Sequence, residues 1–147
     1  MFRLNEIGVT VALAATVATM AMPSLGGILA SQRARNYASA LNVALDKSRL
    51  EALARKGDVT LQPKPGGWSS GWQMLDPNNK VLDQYTVASG VTVVGPGSVT
   101  FRASGHLPAD AVPPIFQITT TSGVMMSREC VSVDSSGQPS LRAAATC

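Results

Sequence analysis

The run Ile7–Ala30, IGVTVALAATVATMAMPSLGGILA, decides how the rest of the chain is read. It holds 24 residues of Ile, Gly, Val, Thr, Ala, Leu and Met, interrupted by one Pro and one Ser. No charge stands between Glu6 and Arg33. As a helix it would be roughly 36 Å long, enough for a hydrocarbon core of about 30 Å. Nothing else in the sequence has this character, so a membrane-embedded helix is expected first, carrying everything after it. The start is unusual for a plain anchor. Glu6 sits at the very edge of the apolar run, where a carboxylate needs a partner or a task. Pro23 removes a helix hydrogen bond and is expected to kink the helix, and Gly26 and Gly27 weaken the same region.

Beyond the span the pattern stays helical to Lys56. Tyr37, Leu41, Leu45, Ser48 and Ala52 follow at spacings of three or four and make one face, while Arg33, Arg35, Lys47, Arg55 and Lys56 lie largely off it. Gly57 is the expected left-handed cap. Two arrangements fit: one helix of roughly fifty residues continuous with the span, or two helices broken at Gly26-Gly27.

After Gly57 short extended runs alternate with turn signals. Strands are expected at 59–61, 71–75, 81–87, 91–94, 99–102, 115–121, 128–133 and 140–142. Pro63 to Gly67 is expected to be a loop, Asp76-Pro77-Asn78-Asn79 a turn, and 105–114 irregular. The expected fold class is α+β: a long N-terminal helix packed against a C-terminal β-sheet or β-sandwich head. The divisions are 1–32 for the membrane and assembly helix, 33–57 for its amphipathic continuation, and 58–147 for the β-rich head.

Charge excludes a strongly basic nucleic-acid face. Segment 33–58 carries six basic residues and three acids, whereas 59–147 carries five of each. No catalytic or metal-binding constellation stands out. His106 is the single histidine and lies in a Pro-rich loop without a Cys or carboxylate beside it. Trp68 and Trp72 could stack a ligand, but packing in the core near the helix is the expectation. No cofactor is implied.

Phe2, Glu6 and Pro23 stand at the first, fifth and twenty-second places of a chain counted from Phe2. In that pattern, with Pro23-Ser24-Leu25, the chain resembles type IV pilins and type II secretion pseudopilins. The later part resembles the FimT/FimU/GspH group of minor pilins and pseudopilins. The matching elements are Ser48-Arg49-Leu50-Glu51-Ala52, Trp68-Ser69-Ser70-Gly71-Trp72, Val99-Thr100-Phe101 with Gly105, and Arg128 through Gly137. Two places depart from the pattern. Met1 stands where the family has Gly before its cleavage point, with no short basic leader before it, and Asn5 replaces an apolar residue. Either the start has been trimmed or altered, or processing is unusual.

The resemblance implies a non-enzymatic filament subunit. Cleavage and N-methylation would fall at Met1 and Phe2 through a prepilin peptidase. Glu6 would pair with the terminal amine of a neighbouring subunit, and the Pro23 region would lose helix on packing. The partners implied are the inner membrane before assembly and other minor and major pilins or pseudopilins afterwards. Arg33 and Arg35 would by themselves place the head in the cytoplasm. The family's leader normally carries the cytoplasmic charges, so the resemblance places the head in the periplasm, then on a surface pilus or periplasmic pseudopilus. In such an exported head the even pair Cys130 and Cys147 is expected to form a disulfide, worth about 3 kcal/mol in the chain-entropy picture. One subgroup binds DNA through a C-terminal Gly-Arg-x-Arg loop. Here Gly137 to Arg142 retains only Arg142, so DNA is an unfavoured partner. A singly anchored periplasmic binding domain, in which Glu6 would be dispensable, is a further class.

Overall fold

The computed structural model describes residues 3–147, and of residues 17–24 the backbone alone. One helix, α1, runs unbroken over Leu4–Arg55. Eight strands follow: β1 (Val59–Lys64), β2 (Gly67–Leu75), β3 (Val81–Thr86), β4 (Val91–Val94), β5 (Val99–Phe101), β6 (Ile115–Ser122), β7 (Met125–Val133) and β8 (Pro139–Ala143). They form two four-stranded antiparallel sheets, ordered β3-β2-β1-β5 and β4-β6-β7-β8. The architecture is the expected α+β one, and each of the eight expected strands has its counterpart, with β1, β2 and β7 running three or more residues beyond the expected bounds.

Among the described residues α1 meets the head from Gly26 onward. Ala30, Ala34, Ala38, Leu41, Leu45, Ser48 and Ala52 are buried at spacings of three and four, forming one stripe. Small residues come first because the second sheet lies close there; the Thr120 hydroxyl on β6 donates to the Ala30 carbonyl at 2.5 Å. Tyr37, expected on this face, sits at its edge and packs edge-on against Tyr85 with centroids 6.3 Å apart. Alanines 34 and 38 take the space under the sheet instead.

The core joins both sheets to this stripe. Val59, Leu61, Trp72, Met74, Val99 and Phe101 come from the first sheet, and Val91, Val93, Phe116, Ile118, Val131 and Val133 from the second. Trp68 bridges them. Its ring meets Phe116 edge-on at 4.8 Å, and its indole N–H donates to the Pro96 carbonyl at 2.5 Å. Next to it, the Ser69 hydroxyl accepts the Val93 N–H at 2.9 Å, clipping β2 to β4. Both tryptophans are thus core residues.

Two local expectations change. The left-handed position after the helix belongs to Lys56 (φ 53°, ψ 37°) and not to Gly57. A Cβ in that region costs about 1–2 kcal/mol, while glycine adds entropy to the unfolded chain. Lys56→Gly is expected to raise stability by about 0.5–1 kcal/mol, seen as a later urea midpoint at unchanged slope for the full chain in detergent micelles. In addition, β1 continues through Pro63 and Lys64. Proline is tolerated there because β5 pairs only with Val59, Thr60 and Leu61. No ladder hydrogen bond on that side asks for the missing N–H, and the register shifts just beyond it.

Candidate assembly site

The first part of α1 is apolar and uncovered. Leu4, Ile7, Val9, Val11 and Leu13 are all exposed, and Ala30 is the first buried residue of the helix among those whose side chains are described. Among the described residues no helix is long and apolar enough to cross a membrane. The eight residues whose side chains lie outside that description fall in the middle of the apolar run.

At the tip, Arg3 is the N-cap in extended conformation, and its backbone N–H donates to Glu6 Oε2 at 3.3 Å. Glu6 therefore occupies the third helical position, where a carboxylate both satisfies an orphan N–H and complements the helix dipole. Met1 and Phe2 lie outside the described residues, and so does the side chain of Pro23. Gly26 and Gly27 stand in intact helix at the closest approach of the β6–β7 hairpin. A methyl group added at either would touch Ser122 or Met125, at 3.6 and 3.1 Å respectively.

At the other end of the head a second cluster forms. Arg49, on the helix, donates through Nε to the Gly105 carbonyl at 3.1 Å and through Nη1 to Gln138 Oε1 at 3.1 Å. One guanidinium thus ties the helix to the loop after β5 and to the β7–β8 turn. The turn is organised by Asp134, which accepts from the Ser136 hydroxyl at 2.5 Å and the Gln138 N–H at 3.0 Å. These hydrogen bonds, the Ser136 one first, hold the Asp134 carboxyl below the ordinary aspartate value of 3.8, and the charge of Arg49 adds to them. A carboxyl lowered on folding stabilises fully above its ordinary value and loses that contribution as the pH falls through the lowered one. The protection of the Gly137 and Gln138 amides relative to their intrinsic exchange rates is therefore expected to fall below about pH 4, and Asp134→Asn should abolish that acid dependence.

Three separated sequence elements meet at this latch: the Arg49 segment, the Phe101-to-Gly105 element and the β7–β8 turn. Sequence reasoning noted each piece and missed their convergence. The available signal was a pair of glycines, Gly105 and Gly137, closing polar turns opposite a single helix arginine.

Cys130 on β7 and Cys147 at the chain end are joined, with Cα atoms 5.6 Å apart. The bridge ties the tail over the outer face of β7, and Arg128 Nη1 also donates to the Ala145 carbonyl. Arg142 is exposed on β8, opposite Cys130 in the register. It is brought near neither Glu6 nor the Arg49 latch.

A groove of about 300 Å³ runs between the helix and β3, lined by Ala40, Val43, Trp72, Met74 and Tyr85. Trp72 and Tyr85 stack at 4.7 Å, and Lys47 spans the groove to Asp83 at 2.6 Å. That ion pair lowers the Asp83 carboxyl from its usual range and raises the Lys47 ammonium. Both side chains are about half exposed, so the pair contributes little to stability. Among the described residues no group of three His, Cys, Asp or Glu could hold a metal ion.

A long helix whose described N-terminal apolar side chains, from Leu4 to Leu13, are uncovered, carrying a disulfide-closed β head farther along, defines a pilin-like subunit. The chain belongs to the GspH family, described as type II transport protein GspH, whose model matches residues 37–137. This is a family of minor pilins and pseudopilins. Among solved structures, the type IV minor pilin FimU of Pseudomonas aeruginosa superposes with a TM-score of 0.65 at 20% identity, over 79% of this chain and 96% of that one. The minor pseudopilin EpsH from the Type 2 Secretion System of Vibrio cholerae superposes with a TM-score of 0.60 at 15% identity, over 76% and 97%. At such identities the likeness is one of fold. No curated protein sequence matches the chain.

Proposed function

We propose that this chain is a minor, non-enzymatic subunit that helps to initiate or cap assembly of a type IV pilus or type II secretion pseudopilus. The observation that carries the reading is the uncovered apolar helix. A protein that leaves Leu4 to Leu13 exposed must bury them in lipid, in other subunits, or in each in turn. The run from Ile7 to Ala30 is long enough to hold the chain in the inner membrane, with the head in the periplasm, before assembly. In the filament the same surface packs against the helices of other pilins or pseudopilins.

Glu6 has a task in both settings. Before assembly it caps its own helix through the Arg3 amide. Cleavage before Phe2 by a prepilin peptidase would create a free amine, and Glu6 of one subunit would exchange the weak cap for the amine of the next. Pro23, with its missing N–H, is where helix would yield as subunits pack.

The reading is tested by deleting the chain and counting filaments. Initiation or capping predicts far fewer filaments of normal subunit composition, with the chain itself recovered in both inner-membrane and sheared-filament fractions. Unchanged filament number, with the chain confined to the membrane, would support a singly anchored periplasmic domain instead.

A further inference from the structure

The β6–β7 hairpin ends in an apolar tip. Val124 is 99% exposed and Met126 63%, with Met125 between them partly exposed. The tip lies beside α1 at Gly26 and Gly27, where Leu25, Ile28 and Leu29 are also exposed. Two pieces far apart in sequence thus share one apolar end of the head.

Its height along the helix is informative. The uncharged run extends to Gln32, and the first cation is Arg33. At 1.5 Å per residue, Gly27 lies about 9 Å below Arg33 along the axis. The tip is therefore level with residues that still belong to the apolar run. Just above it the helix carries Arg33 and Arg35, both exposed, and β7 carries the half-buried Arg128, whose guanidinium reaches Met126 Sδ at 3.9 Å and also donates to the Ala145 carbonyl. The one acid at this level, Glu129, is buried and lies against Arg35 at 4.0 Å. Apolar side chains below and arginines above match the boundary between acyl chains and anionic headgroups, where such groups sit about 5–10 Å deep.

We infer that the Val124-Met125-Met126 tip is a second membrane contact, dipping into the interface of a bilayer containing anionic lipid beside the helix and setting the head's height and rotation before assembly. The inference rests on the membrane-anchored reading above. Gly26 and Gly27 allow the hairpin to lie against the helix at that depth, and the Thr120–Ala30 hydrogen bond fixes its level.

The test places a nitroxide on Val124→Cys in the full chain, with the native disulfide kept oxidised, in vesicles of phosphatidylethanolamine and phosphatidylglycerol. Leu13→Cys and Asn78→Cys serve as references inside the apolar run and on a distant exposed turn. Accessibility to oxygen and to a water-soluble nickel complex is compared by power saturation. The expected result is an oxygen-to-nickel ratio at Val124 several-fold above that at Asn78 and below that at Leu13. A Val124 ratio equal to that of Asn78, with Leu13 still deep in lipid, overturns the tip contact while sparing the membrane span. Protection of Val124 from both reagents assigns the tip to a second copy of the chain and overturns the lipid contact. A water-exposed Leu13 overturns the membrane reading and the inference with it.

Discussion

Glu6→Gln is expected to leave the full chain in the membrane with a normally stable head, and to lower its recovery in sheared filaments by at least tenfold. The head cannot feel the change. Glu6 is at the exposed tip of α1, and among the described residues the first of the helix buried against the head is Ala30. Within the chain the substitution weakens a 3.3 Å hydrogen bond from the Arg3 amide, a capping interaction of about 1 kcal/mol at an end that frays freely. In a filament the setting differs. There the carboxylate would be enclosed by apolar helices and matched to a terminal amine. Breaking a buried pair by removing one partner costs about 3–5 kcal/mol, or two to three orders of magnitude in an equilibrium. Glutamine keeps the shape and the hydrogen-bonding capacity, so the loss would report charge. The measurement compares membrane and sheared fractions for the parent and Glu6→Gln, with N-terminal sequencing of each fraction separating assembly from cleavage before Phe2. If Glu6→Gln enters filaments as well as the parent, the pairing argument fails.

Gly137→Ala is expected to destabilise the head by about 3–5 kcal/mol. Gly137 has φ 86°, in the left-handed region. A Cβ there would strike the carbonyl oxygen of Gly105, the same oxygen that accepts from Arg49 Nε at 3.1 Å. Backbone strain contributes about 1–3 kcal/mol, and a displaced hydrogen bond from a charged donor about 1.5–3 kcal/mol more. Gly90 is the control. Its φ is 84°, but a Cβ there would meet nothing within 4 Å. Gly90→Ala should therefore cost only the backbone part. Equal urea midpoints for the two variants would show that the Arg49 latch carries no stability.

Much of this architecture is legible in the sequence because it rests on local periodicity. The unbroken apolar run, the three-and-four spacing of Leu41, Leu45, Ser48 and Ala52, and the alternation in Ile115–Thr121 each depend on residues a few places apart. Those spacings identify the long helix and all eight strands. The cysteine pair becomes legible once the head is assigned to an oxidising compartment. Features that depend on distant neighbours are not legible in this way. Pro63 reads as a loop residue because nothing in the sequence says that β5 stops short of it. Tyr37 reads as core because spacing alone cannot tell that the sheet comes too close for anything larger than alanine at 34 and 38.

Local pattern is enough to establish an apolar helix carrying a β head, and to single out Glu6 and Pro23. Hydrophobic periodicity and helix-breaking chemistry act within a few residues of one chain segment. The sheet order, the convergence of Arg49, Gly105 and Gln138, and the contact of Arg128 with Met126 at the hairpin tip arise only when the chain has folded. Folding thereby sets Arg128, from a head that is electrically neutral in composition, at the level of the helix's own Arg33 and Arg35. Packing of strands on the helix sets which charges become neighbours, and it is fixed by contacts between residues as much as ninety positions apart, such as Ala30 with Thr120.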